Sequence, residues 1–445
     1  MTTETVIREG QDPKIDKKYR FWRIAAWFGT WIAYAGFYLG RKTISIAPPE
    51  MMKEFGWEFS TITFIMSGYF WAYAIGQFAN GILGDKLGSR LMLGLGLITT
   101  ILMNLLFGFS TSVIVLFLLW TINGYAQSSG WPSVIKGMSN WFSVRERGKV
   151  MSIWGTSYTV GDVVATALAS FVIGHAAVLT AVRPDGSEVA YSDWRWIFWV
   201  ASIALAFVSV IVFLLLRNKP EDVGLPPIAV FHNQKIEEGD KKGNEKVNML
   251  ENAKEVLRQG PIWVLGITYF GIKFIRYTFM FLITTYLAIE KGFSTENAGY
   301  TTVLFALVGV AGTFAASYLS DVWFSSRRAP ISVIMLLGLT LSLIFFWQAP
   351  IALIPVAMGL VGFFTMGPDF VVSAVAVMDY GSRKGASTAA GFVNGMGSLG
   401  PAIMTTVVGF LQSMAGWNGV FYALIALSVL CAALMSTLWN RIGEN

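Results

Sequence analysis

The 445-residue chain has one cysteine, Cys431, and two histidines, His175 and His232. A single thiol excludes an intrachain disulfide, and so few imidazoles leave no His-built metal or haem site to assemble. Charge is also scarce, at 13% of residues, where an average soluble domain carries roughly 25%. No nucleophile lies beside a base in the pattern that covalent catalysis requires, so neither an enzyme nor a cofactor is expected. The first twenty residues are polar. They lack the short apolar core and small-residue cleavage site of a signal peptide, and the first apolar segment is expected to stay in the chain. The net charge of +6 does not gather into a patch interleaved with aromatics, which argues against a nucleic-acid partner.

What the chain has in abundance is apolar surface: 54% of its residues are hydrophobic, with 45 Gly, 33 Phe and 17 Trp. Apolar runs begin near residues 24, 60, 91, 113, 150, 196, 261, 297, 330, 351, 385 and 418. Runs of about twenty residues each predict an all-α membrane protein of twelve transmembrane helices, with the lipid bilayer as its first partner. An even number puts both termini on one side. Basic residues concentrate in the loops of that side, Lys86, Arg90, Arg145, Arg147, Arg327, Arg328, Arg383 and Lys384 among them, whereas the other side has only Lys53, Arg183, Arg195 and Lys291. The positive-inside rule then predicts cytoplasmic N- and C-termini in a multi-pass protein of the cell inner membrane. The expected organisation is a cytoplasmic segment over 1–22, a six-helix bundle over 23–217, a cytoplasmic linker over 218–259, a second six-helix bundle over 260–440 and a tail over 441–445. Residues 247–259 of the linker predict a short amphipathic helix on the membrane surface.

Two arginines, Arg41 and Arg276, fall inside these apolar runs, 235 residues apart. Asp85 with Asp321 and Pro132 with Pro368 repeat at 236, and Gly130 with Gly367 and Gly148 with Gly385 at 237. Five features of different type at nearly one offset predict a duplicated six-helix unit with pseudo-symmetric, parallel repeats. An arginine at the centre of a spanning helix costs about 2.5 to 3.5 kcal/mol. A matched pair of them predicts a small anionic substrate, because the guanidinium fork fits phosphate oxygens and stays charged. Lys273 lies one turn before Arg276 on the same face and is expected to assist. Lys42, rotated by about 100° from Arg41, is a candidate from a different face. Tyr38, Tyr73, Tyr158 and Tyr277 are candidates to line the same cavity, although tyrosines also pack and anchor at interfaces. Asp162 and Asp369 are candidates to counter Lys273, Lys136 or the arginines in the empty site, or to bind a proton. Gly391, Gly395, Gly397 and Gly400 predict close helix packing.

The segment GILGDKLGSR at residues 81–90 joins the second and third runs, with a looser echo in SYLSDVWFSSRR at 317–328. It resembles the G-x-L-x-D-x-x-G-x-R loop of the major facilitator superfamily, and the resemblance implies gating and coupling roles for Asp85, Arg90 and Asp321. Four further segments are FYLGRKTISIAPPEM around Arg41, NGYAQSSGWPSVIKGMSNWFSVRERGKVMSIWGTSYTVG at 123–161, FIRYTFMFLITTYL at 274–287 and GSRKGASTAAGFVNGMGSLG at 381–400. They resemble the first, fourth to fifth, seventh and eleventh spans of the organophosphate:phosphate antiporters. That family includes glycerol-3-phosphate, hexose-6-phosphate and phosphoglycerate transporters, and sensor homologues that bind sugar phosphate.

The resemblance implies exchange of an organophosphate for inorganic phosphate by alternating access, with Arg41 and Arg276 on the phosphate; a monomer is expected. The chain departs from the family's pattern at Gln77, where the transporters usually carry a lysine, at Tyr158, where they carry a histidine, and near Ala306, where an acid is missing. Gln77 and Tyr158 are therefore candidate contacts to the organic group, whose identity the departures leave open. Two other readings stand beside this one. The first is a membrane sensor of a phosphorylated sugar, and the second a proton-driven organic-anion or phosphonate carrier in which Asp162 and Asp369 take the proton.

Overall fold

The computed structural model describes residues 12–183, 186–231, 258–324, 327–376 and 386–441. The Asp85 side chain, residues 247–257 of the expected surface helix and residues 442–445 of the tail lie outside the described residues. Helix α1 (Pro13–Ile46) leads into α2 (Pro48–Phe55), α3 (Phe59–Leu87), α4 (Ser89–Phe109), α5 (Val113–Gln127), α6 (Gly130–Trp141), α7 (Val144–Trp154) and α8 (Thr156–His175). A hairpin, β1 (Val178–Val182) and β2 (Glu188–Ser192), precedes α9 (Arg195–Leu215) and the single turn α10 (Ile228–Phe231). Then come α11 (Gly260–Phe281), α12 (Ile283–Ile289), α13 (Thr295–Phe324), α14 (Arg328–Gln348), α15 (Ile354–Phe370) and α16 (Ala386–Ser436).

Several of these helices are pieces of one rod. Ser128 and Ser129 between α5 and α6 keep helical dihedrals, as does Gly155 between α7 and α8. Helices α11 and α12 meet at a 46° bend. Gly416 does the reverse: its φ of 61° divides α16 into two rods. Grouped in this way, the helices with α2 and α10 set aside form twelve rods among the described residues, starting close to the twelve expected positions. Helix α1 is the exception, since it runs back into the polar segment as far as Pro13. Among the described residues, seven helices or joined helices are long and apolar enough to cross a membrane, eight if the bent α11–α12 pair counts as one. Their outward faces carry Phe207, Phe314 and Leu341, each about two-thirds exposed or more. Such faces suit a hydrocarbon solvent, where backbone groups are satisfied within the helix and side chains need no water.

The chain divides into two compact units whose bounds fall within several of the rods, one of Met1–Arg41, Trp71–Ala165 and Phe198–Lys246, the other of Lys42–Phe70, Thr166–Ile197 and Val247–Asn445. In the first unit Phe107 stacks on Phe198 at 4.4 Å with Trp120 edge-on. A Cβ on Gly40 would lie 2.3 Å from the Thr100 side chain, so α1 and α4 touch through the missing methyl. The chain after α9 returns to α1: the Tyr19 hydroxyl donates to the Pro226 carbonyl at 3.0 Å and its ring stacks on Phe231 at 4.0 Å. Burial raises the Tyr19 pKa.

In the second unit α13 and α15 approach through reciprocal glycines. A Cβ on Gly312 would sit 2.0 Å from the Phe363 carbonyl oxygen, and one on Gly362 would sit 2.1 Å from that of Phe305. The hairpin in this unit is a feature the apolar pattern did not reveal, and α2 holds it. Glu50 accepts from the Ser192 amide at 2.9 Å, Arg183 donates to the Lys53 carbonyl at 3.2 Å, and Glu54 pairs with Arg195 at 2.7 Å. Burial, and then the Glu54 carboxylate, raise the Tyr191 pKa on β2.

Small residues at helix contacts replace the hydrophobic drive that is missing in lipid. Gly312→Leu is therefore expected to lower the melting temperature of the purified protein by about 5 °C or more, from overpacking against a backbone that cannot retreat. Gly391, where a Cβ meets nothing within 4 Å, supplies the control: Gly391→Ala is expected to melt within about 2 °C of wild type in the same scanning-fluorimetry series.

Candidate functional site

Arg41 sits near the end of α1, 5% exposed, in the first unit. Its Nε donates to Gln127 Oε1 at 2.9 Å, and Gln127 Nε2 donates to Asn123 Oδ1 at 3.1 Å. Asn123 Nδ2 then donates to the Gly40 carbonyl at 3.3 Å, which also accepts from Asn104 Nδ2 at 3.2 Å. The chain of amides thus leaves α1 at Arg41 and returns to it one residue away. Asn104, Asn123 and Gln127 are fully buried. Asn123 and Gln127 are four apart on α5 and share a face, which is why one amide can hand its hydrogen bond to the next. The guanidinium also lies over the rings of Tyr38 at 4.6 Å and Tyr73 at 5.5 Å. Gln127, Tyr38 and Tyr73 are neutral groups that set the direction of the guanidinium.

The other first-unit candidates lie on α3, α4 and α8. Gln77 follows Tyr73 by one turn of α3 and is half-buried, as is Tyr158 on α8. Asp162 is buried on α8, next to Gly161, whose Cβ would lie 2.8 Å from the Ala35 carbonyl of α1. Arg90 fastens the start of α4 to the end of α9, its Nη2 donating to the Phe213 carbonyl at 2.9 Å. In that position it complements the partial negative charge of a helix C-terminus.

The second unit treats its arginine differently. Arg276 Nη1 donates to Asp369 Oδ2 at 2.8 Å, joining α11 to α15, and both side chains are about nine-tenths buried. Lys273 has its ammonium 5.1 Å from the Tyr269 ring centre and 5.5 Å from that of Tyr277. Residues 269, 273 and 277 form one stripe along α11. Gly397 and Gly400 press α16 against this stripe: their Cβ atoms would meet the Tyr269 ring at 2.3 Å and the Phe270 carbonyl at 2.7 Å. Tyr277 stacks on Phe281 at 5.7 Å. Lys42 is 2% exposed and donates to the Met280 carbonyl at 2.5 Å, at the point where the α11–α12 bend interrupts the helical ladder. Asp321 pairs with Arg328 at 2.6 Å between the end of α13 and the start of α14.

The first unit therefore brings together Arg41, Tyr38 and Tyr73, and the second Arg276, Asp369, Lys273 and Tyr277. Asn104, Asn123, Gln127 and Tyr269 belong to these groups and were not singled out from the sequence. Polar amides at i, i+4 within an apolar run, and tyrosines flanking Lys273 at the same spacing, were the available signals.

Comparison with known proteins agrees with this architecture. The family model described as Major Facilitator Superfamily matches residues 27–368 and 298–442. A Bacillus subtilis (strain 168) protein named glycerol-3-phosphate transporter is 30% identical over 443 residues, covering 98% of this chain and 96% of the relative. A probable hexose phosphate transport protein of Chlamydia trachomatis is 29% identical, covering 99% and 96%. The membrane sensor protein UhpC of Salmonella typhimurium is 28% identical, covering 95% and 92%. Among solved structures, a bacterial homolog of the human lysosomal transporter Spinster, in an inward-facing and occupied conformation, superposes with a TM-score of 0.73 at 15% identity, covering 94% of this chain and 96% of that one. The D-xylose-proton symporter does so at 0.71 and 14%, covering 93% and 97%. At such identities these two matches show the fold alone. The chain belongs to the Major Facilitator Superfamily and, within it, to the organophosphate:phosphate antiporter family, which makes it a multi-pass membrane protein of a transporter family and not an enzyme.

Proposed function

We propose that the protein exchanges a small organophosphate for inorganic phosphate across the cell inner membrane by alternating access, with both termini cytoplasmic. Arg41 and Arg276 bind the phosphate, Lys273 adds a second positive charge beside Arg276, and Tyr38, Tyr73 and Tyr277 surround the guanidinium and ammonium groups. Gln77 and Tyr158 contact the organic group, and Lys42 stabilises the α11–α12 bend close to the substrate path. Asp85, Arg90, Asp321 and Asp162 serve gating and coupling. The observation that supports this reading most is that each arginine is buried in its own compact unit with its guanidinium held in place by neighbouring side chains. A buried guanidinium with its direction set in advance spends little ordering entropy when a phosphate arrives. Neutralising it lowers the barrier to moving a desolvated charge, which is why exchange should run only when one anion replaces another.

A second reading, a sensor that binds the same class of ligand without appreciable flux, is supported by the similarity to the sensor protein UhpC over 95% of this chain.

Proteoliposomes loaded with unlabelled phosphate and given labelled phosphate outside test the transport reading. Uptake is expected to require internal phosphate and to be competed by glycerol-3-phosphate or hexose phosphates. Arg276→Ala is expected to reduce it by about 30-fold or more, the low end of what truncating a desolvated charge partner costs. Binding without flux would favour the sensor, and flux that follows an imposed pH gradient without internal phosphate would contradict exchange.

Gln127 supplies a second test on the first unit. Gln127→Leu is expected to weaken phosphate binding by about fivefold, from loss of one oriented hydrogen bond. Gln127→Glu is expected to weaken it more, because a carboxylate at that position would pair with Arg41 Nε and repel the incoming anion. Equilibrium binding of labelled phosphate to both variants checks the order.

A further inference from the structure

We infer that Asp369 is a displaceable counter-ion: an internal carboxylate that holds Arg276 until a phosphate takes its place, and that makes the site favour dianions over monoanions. This rests on the reading that Arg276 binds the substrate phosphate.

Three observations within the second unit carry it. First, the pair is held by a single contact, Arg276 Nη1 to Asp369 Oδ2 at 2.8 Å. The other carboxylate oxygen, Oδ1, is buried and has no hydrogen-bond partner among the described residues. A carboxylate seated for strength would engage a guanidinium through both oxygens; this one uses half its capacity. A phosphate, with more oxygens and a second charge, can bridge two of the guanidinium donors and displace it.

Second, the backbone that carries Asp369 is irregular. Pro368 stands inside α15 immediately before it, and from Val371 to Ala376 the helix widens into a π turn. The Val371 amide is shared between the Gly367 and Pro368 carbonyls. Proline removes one rung of the ladder, and π turns recur where helices change register. Asp369 thus lies at a place where a small rearrangement of α15 can withdraw its side chain.

Third, Lys273 lies one turn from Arg276 on α11, against the tyrosine rings. With Asp369 ionised, the three groups Lys273, Arg276 and Asp369 sum to one positive charge. A monocarboxylate replacing Asp369 at Arg276 exchanges like for like and gains nothing in Coulomb energy. A phosphate dianion gains one charge and, through Lys273, a partner for it. The internal carboxylate therefore acts as the threshold that an incoming anion must exceed, and the apparent affinity is the intrinsic affinity reduced by the fraction of protein in which Arg276 is released.

Full-length protein in lipid nanodiscs, titrated with inorganic phosphate and separately with lactate as a monoanionic probe, tests this. Asp369→Asn is expected to bind phosphate about fivefold or more tightly than wild type, to show a larger phosphate-induced rise in melting temperature, and to acquire lactate binding. Asp369→Glu is expected to keep wild-type discrimination. Asp369→Ser carries the same expectation as Asn should the Asn variant not fold. Weaker phosphate binding in both neutral variants, at a native melting profile, would overturn the inference, since removing a displaceable counter-ion must free Arg276 for the phosphate. Unchanged selectivity would overturn it as well. If wild type binds phosphate and Arg276→Ala does not, such a result sinks the counter-ion alone; if wild type binds no phosphate, the reading of Arg276 fails with it.

Discussion

A guanidinium inside a membrane-spanning helix has to be satisfied by protein, because the surrounding hydrocarbon offers it nothing. Much of the arrangement around Arg41 and Arg276 follows from that requirement. In the first unit the solution is a run of buried amides that begins at Gln127 and ends on the Gly40 carbonyl. It depends on Gly40 having no side chain, since a Cβ there would occupy the space of Thr100 and push Asn104 away. In the second unit the solution is a carboxylate, Asp369, brought to α11 by α15, a helix that itself packs through Gly362 onto the Phe305 backbone. Small residues set the distances, and the distances let the polar groups meet.

The two solutions have different consequences. Neutral amides fix the direction of Arg41. A buried ion pair fixes Arg276 and cancels its charge, at a desolvation cost that good geometry only partly offsets. A chain with duplicated halves has thus come to hold its two related arginines unequally. Lys273, sandwiched by Tyr269 and Tyr277, restores to the second unit the positive charge that Asp369 removes. Lys42, the neighbour of Arg41, is engaged elsewhere: its ammonium donates to a backbone carbonyl at a helix bend, a partner of complementary partial charge.

How much of this was legible in the sequence depended on range. The twelve rods could be read because twenty apolar residues in a row have few alternatives, and the arginine pair because charge is so scarce around it. The positions of Asp321 and Arg90 at helix junctions followed the loop motif. Asp369 could be named as a counter-ion but not matched to Arg276 over Lys273 or Lys136, because spacing along one helix says nothing about which residue of another helix lies opposite. Asn123 and Gln127 were visible within a motif, yet their hydrogen-bonding partners sit on α1 and depend on the approach of α5. The hairpin escaped notice since VLTAV, read alone, extends an apolar run; what makes it a strand is α2, whose Glu50 and Lys53 groups meet it across more than a hundred residues.

The central proposal is that Arg41 and Arg276 act on one phosphate. A double-mutant cycle measures it most directly: phosphate affinity of wild type, Arg41→Lys, Arg276→Lys and the double variant, in one lipid environment and at one salt concentration. If both guanidinium groups hold the same anion, losing either fork already releases it, and the double variant is expected to be little worse than the poorer single one. Losses that add in full, as for two independent anion sites, would contradict the claim.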